Sequence, residues 1–458
     1  MTLSIGSIAL IEKLIVEYDV FQRIFNGVGG KAKDFIGIIR ALVCNRLDDC
    51  VSVSRMLELY PSEFFLLNGC KKAPSERSIF RAIERIGKKH EFILTRYQSF
   101  VKNEGLVADK QCIDFSSSYF EGRGDSLGEF GYSRDGQPGK KQVTFGASTG
   151  INGIPTALTI QKGNVCDKTH FRFMLKTAGA ILERESLLIF DCGGNTKENK
   201  RDVRERQFHY LTLKPKQKKP YLAIIKKATS LPTILVEINK TTYECKKIVE
   251  KEEITYLFFS QELKDNQLKN KKKRFERELE RNKTVLKKTK TGQSLAEYPT
   301  TEGIVTAKGS LQTTLASIED VHITGLEGYF IIECSVELEP HHVLSLYKDK
   351  DRAEKFFRGM KEGVDLRPMR HWTTNAIIGH IILVFLTNAL INLTQLRAKD
   401  LDIKNTKLLK KYLNKLTLAT IHHSDGKKMH YLANICPEIR AILEGFLQKY
   451  EEKLLKVG

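Results

Sequence analysis

Three carboxylates stand out as residues that could do chemistry. Asp114 lies inside the run Gln111-Cys112-Ile113-Asp114-Phe115, Asp191 closes the apolar run Ser186-Leu187-Leu188-Ile189-Phe190, and Glu354 falls in a helical stretch beginning near Leu346. Tyr347, Lys350, Arg352, Lys355 and Arg358 surround Glu354. A carboxylate on a buried strand must be paired, protonated or bound to metal. If three converge, a pair of hard divalent cations best relieves their repulsion, and Mg2+ takes oxygen ligands while keeping water positions open. Two such ions about 4 Å apart hold the attacking and leaving oxygens of an in-line phosphoryl displacement. Singly, each Asp is also what a turn or a helix cap would use. The sequence has no Gly-rich phosphate loop and no Ser/His/Asp or Cys/His nucleophile spacing, and Gly193-Gly194 is too short for a dinucleotide fingerprint.

The spacing around Glu354 is more specific. Tyr347, two residues, Lys350, three residues, Glu354, six residues, Lys361 resembles the Tyr-x2-Arg-x3-Glu-x6-Lys signature of one branch of the DDE insertion-sequence transposases. Phe356-Phe357-Arg358, Arg367-Pro368, His371 and Gly379-His380 are similar to that family's flanking text, as are Gly131-Tyr132-Ser133-Arg134-Asp135-Gly136 and the turn from Gly163-Asn164 to Asp167. Asp114, in Ile-Asp-Phe-Ser-Ser-Ser, looks like the family's first catalytic Asp, and Asp191, in Phe-Asp-Cys-Gly, like its second. The resemblance spans roughly residues 106–395.

The resemblance implies a ribonuclease H-like core in which Asp114, Asp191 and Glu354 are catalytic and bind two Mg2+, with Mn2+ able to substitute. The reaction would hydrolyse the phosphodiester at a mobile element's end. The freed 3′-hydroxyl would then attack the opposite strand or target DNA. It also implies a homodimer on paired terminal inverted repeats, and contacts to end DNA from Tyr347, Lys350 and Lys361; Arg352 and Arg358 are further candidate DNA contacts. Lys350 stands where the signature has Arg, and an ammonium cannot form the bidentate fork of a guanidinium on phosphate. Two other functions use parts of this pattern: a Mg2+-dependent ribonuclease H-like nuclease, and a catalytically inactive DNA-binding derivative.

The fold class expected to position these residues is α/β: a ribonuclease H-like mixed-sheet catalytic core interrupted by a β-rich insertion, with a helical N-terminal DNA-binding region and a helical C-terminal tail. Residues 1–105 have helical periodicity throughout, as at Ile8, Ile11, Leu14, Ile15 and Tyr18. Within them Ser75 is an N-cap ahead of Arg77, Arg81 and Arg85 at four-residue steps. That basic stripe suits a DNA-recognition helix, and equally a solvated face of an ordinary one. Residues 106–195, the first part of the core, read as strands at 111–115, 141–148, 154–161 and 186–191 with a helix over 168–182.

Asp191 and Glu354 are 163 residues apart, far more than such a core needs, so 196–345 is expected to be the basic β-rich insertion with a charged helix over 263–290. Lys197 to Pro220 holds nine basic and three acidic residues. Lys214, Lys216, Lys218 and Lys219 are candidate phosphate contacts, or simply solubilising. Residues 346–395 complete the core, and 396–458 form the tail.

Lys and Arg number 75 against 55 Asp and Glu, a net charge of +20 in 458 residues. That excess favours a polyanion, and nucleic acid is the usual one. The nine cysteines are scattered without a Cys-x-x-Cys pair, which argues against a disulfide framework or structural zinc and suits a reducing cytosol. Met1 to Ile11 does not read as a signal peptide. Ile377 to Leu393 carries His380, Asn388 and Asn392, so it reads as a buried helix and not a membrane span. The expectation is a cytoplasmic, prokaryotic-type protein, nucleoid-associated when bound to DNA, with no membrane or small-molecule partner. Asp109, Asp125, Asp135 and Asp167 are expected in turns and caps, and His341-His342 and His422-His423 on the surface. His371 and His380 are expected as hydrogen-bonded core residues, and Trp372 in helix packing, with base stacking its alternative.

Overall fold

The computed structural model describes residues 2–30, 34–122, 127–289, 298–299, 304–305, 323–398, 401, 403, 405–422 and 428–455; Asp125 and His423 lie outside them. The chain divides into two compact units, one made of Met1–Ile189, Thr196–Phe208 and Asp349–Gly458, the other of Phe190–Asn195 and His209–Lys348.

The first unit opens with a short strand, β1 (Thr2–Ser4), and seven helices: α1 (Gly6–Tyr18), α2 (Val20–Phe25), α3 (Phe35–Leu47), α4 (Val53–Leu59), α5 (Ser62–Leu67), α6 (Glu76–Lys88) and α7 (His90–Asn103). Ser75 caps α6 as its position predicts, its hydroxyl accepting from Ser78 N at 3.3 Å. Three antiparallel strands follow, β2 (Lys110–Tyr119), β3 (Gln142–Gly150) and β4 (Pro155–Lys162), then α8 (Asp167–Ala178), β5 (Leu187–Phe190) and α9 (Lys197–Glu205). Their order is β4-β3-β2-β5. Helix α7 is fastened to β4, with Tyr97 OH donating to Pro155 O at 2.7 Å and Gln98 Nε2 to Thr156 O at 3.1 Å. The start of the basic block, read above as leading into strands, is instead helical. Thr196 caps α9 by accepting from Asn199 N at 3.1 Å, and Asn199 and Val203 supply its buried side.

In the second unit β6 (His209–Leu213), α10 (Lys218–Ala228), β7 (Ile234–Ile238), β8 (Thr241–Val249) and β9 (Ile254–Phe259) lead to α11 (Gln261–Thr289). Two-residue strands, β10 (Tyr298–Pro299) and β11 (Ile304–Val305), precede β12 (Tyr329–Cys334) and α12 (Pro340–Asp349). The five longer strands are antiparallel in the order β6-β12-β9-β8-β7. Tyr221 and Ala228 of α10 pack with Ile248, Leu257, Leu326 and Ile331 to form its core.

The chain returns to the first unit with α13 (Asp351–Arg358), a π-helical turn (Gly359–Gly363) and α14 (Thr374–Arg397). Helix α14 is long and apolar enough to cross a membrane, but it is the core helix of this unit, with Ile381 to Phe385 wholly buried. Its polar residues tie it to its neighbours: Asn388 Nδ2 donates to Phe356 O at 3.0 Å and Asn392 Nδ2 to Gly153 O at 2.7 Å. Helices α6 and α14 approach backbone to backbone. A Cβ on Gly379 would run into the Ile83 carbonyl, and one on Gly87 into that of Asn375.

The tail is not all helix. After α15 (Thr406–Leu413) come β13 (Thr417–His422) and β14 (Lys428–Ala433), then α16 (Pro437–Ile442) and α17 (Leu447–Leu455). Strand β1 pairs with β13, Leu3 opposite Leu418. This corrects the expectation of helix throughout both ends: short strands carry little periodicity of their own, and here the partner is some four hundred residues away.

Candidate active site and nucleic-acid surface

Asp114 sits mid-strand on β2 opposite Ala147 of β3. Side chains alternate across a strand, so Cys112, Asp114 and Ser116 share one face and Ile113 and Phe115 the other. Phe115 packs on His170 of α8, ring centroids 4.7 Å apart, and Gly146 opposite it leaves room for the Phe115 ring. The Asp114 face looks the other way. Cys112 Sγ lies 3.6 Å from Asp349 O, and Phe145, opposite Ser116, meets Phe357 of α13 at 5.6 Å. Burial and then the Asp349 carboxylate push the Cys112 thiol up to about 12. Arg352 and Lys350 pull it down, and Asp114 adds to the rise. The half-buried Asp114 and the start of α13 thus bear on one another.

Helix α13 buries Ala353, Phe356 and Phe357 and turns Glu354 outward, its side chain 53% exposed. Lys350 Nζ, nearly buried, reaches Glu354 Oε1 at 3.1 Å. Arg352 pairs with Asp349 at 3.3 Å and Lys355 with Asp351 at 2.6 Å, while Arg358 is exposed. Lys361 falls in the π-helical turn and points inward. Its Nζ donates to Asp135 Oδ1 at 2.7 Å, beside Arg367 Nη1 at 2.9 Å. Asp135 lies in a turn, as expected, but its side chain is 1% exposed, and two cations neutralise it. Its other oxygen, Oδ2, is buried with no hydrogen-bond partner.

Asp191, in the second unit, follows β5 directly. Its Oδ1 accepts from Cys192 N at 2.7 Å and its carbonyl from Gly194 N at 3.0 Å. Asn195 closes this turn by donating to Leu213 O at 3.0 Å and to Glu333 Oε2 at 2.8 Å. Glu333, 1% exposed, is also paired with Lys214. The sequence carried the signal for Glu333, a lone carboxylate in the apolar run Tyr329–Cys334, as clearly as for Asp114.

The candidate DNA contacts divide by how far structure already uses them. Arg77 and Arg81 are exposed on α6, whereas Arg85 donates to Gly29 O. Lys214 is held by Glu333 and Lys216 donates to Tyr329 O at 2.9 Å, while Lys218 and Lys219 are exposed. Tyr347 is half-buried on α12. His371 and His380 are hydrogen-bonded as expected, Nε2 to Nδ1 at 3.2 Å. Trp372 contradicts its packing assignment: it is 75% exposed, because after the buried Met369 the chain from Arg370 to Thr373 runs over the surface before α14.

The carboxylate oxygens of Asp114 and Glu354 are the donor type Mg2+ takes, and Lys350 already holds positive charge against Glu354. The donors thus fit a hard cation in kind. Among the described residues no group of three or more His, Cys, Asp or Glu side chains is gathered closely enough to hold a metal ion.

No family model matches the chain, and no curated protein does. Among solved structures it is similar to a piggyBac transposase in a synaptic complex with hairpin DNA, at 9% identity over 98% of this chain and 84% of that one, with a TM-score of 0.45. That likeness is too distant to carry a functional argument.

Proposed function

We propose that this chain is a DDE-type DNA transposase whose ribonuclease H-like core uses Asp114, Asp191 and Glu354. The observation that carries the reading is Asp114 on the face of β2 covered by α13, the helix bearing Glu354 in the signature spacing. Two Mg2+ held by the three carboxylates, or Mn2+ in their place, would supply the Lewis acidity for in-line phosphoryl displacement. The chain's own part is to bind and align. Glu354 is open to solvent, and the exposed Arg352, Lys355 and Arg358 on the same helix add positive charge around it. Hydrolysis at the element's end releases a 3′-hydroxyl, which then displaces a second phosphodiester bond. Two copies on paired ends would perform this together.

The Lys350–Glu354 ion pair favours one rival, an inactive DNA-binding derivative, because it takes up an oxygen the metal would need. Labelled DNA carrying the gene's own flanks, incubated with protein and Mg2+, separates the readings. A transposase cuts at a discrete flank position, and Glu354→Gln or EDTA lowers that rate by about a hundredfold or more. Scattered cutting would indicate a nuclease, and binding without cutting would leave the inactive derivative.

A further inference from the structure

Large aromatic side chains carry enough apolar surface that exposing them is costly, yet three stand open near the end of β2. Trp372, the only tryptophan, is 75% exposed, Tyr132 84% and Phe130 61%. The backbone brings them there. Glu129, next to Phe130, pairs with Gln142 at the start of β3, and Gln142 stands opposite Tyr119 at the end of β2. Met369 donates to Tyr119 O at 2.9 Å and accepts from Glu121 N at 3.0 Å, which sets Arg370 and Trp372 just beyond.

Cations interleave with the rings. Lys140 Nζ lies 4.6 Å from the Tyr119 ring centre and Lys141 Nζ 6.0 Å from that of Phe130, while Arg370, largely exposed, reaches Glu121 at 3.4 Å. Phe130, Lys140 and Lys141 border an open cavity of about 420 Å³. The arrangement is braced from beneath: Asp135 binds Lys361 and Arg367 together, tying the segment of Phe130 and Tyr132 to the one that leads to Trp372. On the far side Phe80 of α6 meets the His371 ring at 6.3 Å, and Thr373 Oγ1 donates to Glu84 of that helix at 3.3 Å, which fixes the chain on either side of Trp372.

We infer that this surface is a platform for unpaired DNA, with bases stacking on Phe130, Tyr132 and Trp372 and phosphates held by Lys140, Lys141 and Arg370. Ring faces set among cations suit sequence-tolerant single-strand binding. A duplex keeps its base faces inside its own stack, so the rings select nucleotides that have left it. The platform lies about 17 Å along β2 from Asp114, at some 3.4 Å per residue. It rests on the reading of DNA as the partner, but not on metal or on cutting.

The lone tryptophan provides the test. Full-length protein in EDTA is titrated with an oligothymidylate and with a blunt duplex while Trp372 emission is followed. The single strand quenches the emission saturably and the duplex does not. Phe130→Ala weakens single-strand affinity by about 5- to 100-fold, and so does Trp372→Ala, read by anisotropy of a labelled oligonucleotide, whereas Trp372→Phe retains most of it. Unchanged melting temperatures confirm that these exposed substitutions leave the fold intact. Binding with unaltered emission and no effect of Phe130→Ala would route the strand elsewhere and overturn the proposal. Absence of single-strand binding would overturn it too, and leave the rings as a protein-docking patch. Discrete flank cleavage without quenching would remove the platform and spare the transposase reading; quenching without cleavage would do the reverse.

Discussion

Asp135 sits in the turn its sequence predicts, and there it is also the buried anion between Lys361 and Arg367. Removing it leaves two cations facing each other in a site with little water. Asp135→Ala should therefore cost about 3 kcal/mol and lower the thermal unfolding midpoint by several degrees, more than any substitution of the exposed Arg358. The histidine pair sets a pH dependence. Burial, aided by Arg46, pushes His371 down to about 4, and burial followed by Arg46 and His371 holds His380 well below its ordinary value. Both stay neutral when folded, while their unfolded forms take up protons below about 6.5. The stability they contribute is whole above pH 6.5 and is lost as pH falls from there towards 4. The unfolding midpoint should drop by several degrees between pH 7 and pH 5, and His371→Gln should flatten part of that drop. At this scale a sequence shows a residue's type and immediate neighbours only. Asp114 was legible because a carboxylate stood among apolar strand residues. Asp135 was not, because its partners are more than two hundred residues away.

Helix α6 shows what an element's amphipathic pattern does and does not reveal. Its cap and its arginine stripe were readable, but a stripe is compatible with DNA and with solvent alike. What decides how α6 is held is the glycine contact with α14. Gly379→Ala should push the helices apart at the Ile83 carbonyl and cost about 1–3 kcal/mol, seen as a lower unfolding midpoint, while Gly27→Ala, with open space around it, should show only the smaller strain of its positive φ. The strands of β2, β3 and β4 were legible because their runs are long and pair with neighbours close in sequence. Strands β1 and β13 were not, since each is short and makes sense only beside the other. Glu354 was legible as a carboxylate in a helical stretch and then by its spacing in a family signature, but neither shows the helix break at Lys350.

Across the whole chain the count of 75 Lys and Arg overstates the cations available to a polyanion. Lys214, Lys350 and Lys361 are paired with carboxylates, and Arg85 and Lys216 bond to backbone carbonyls. The cations left exposed still predict an electrostatic complex. If six to ten phosphates are neutralised, affinity for duplex DNA should fall by about 10³-fold or more between 50 and 200 mM salt, measurable by anisotropy. Substituting Lys361 should not alter that slope, whereas Arg77→Ala with Arg81→Ala should reduce it. The pairing of β1 with β13 has a bearing on the making of the protein as well. At about 5–20 residues per second, Thr2–Ser4 wait some 20–80 s on the ribosome for their partner strand to be synthesised. All of His209–Lys348 is translated in that interval, so the second unit has its full sequence before the first unit can pair its terminal strands.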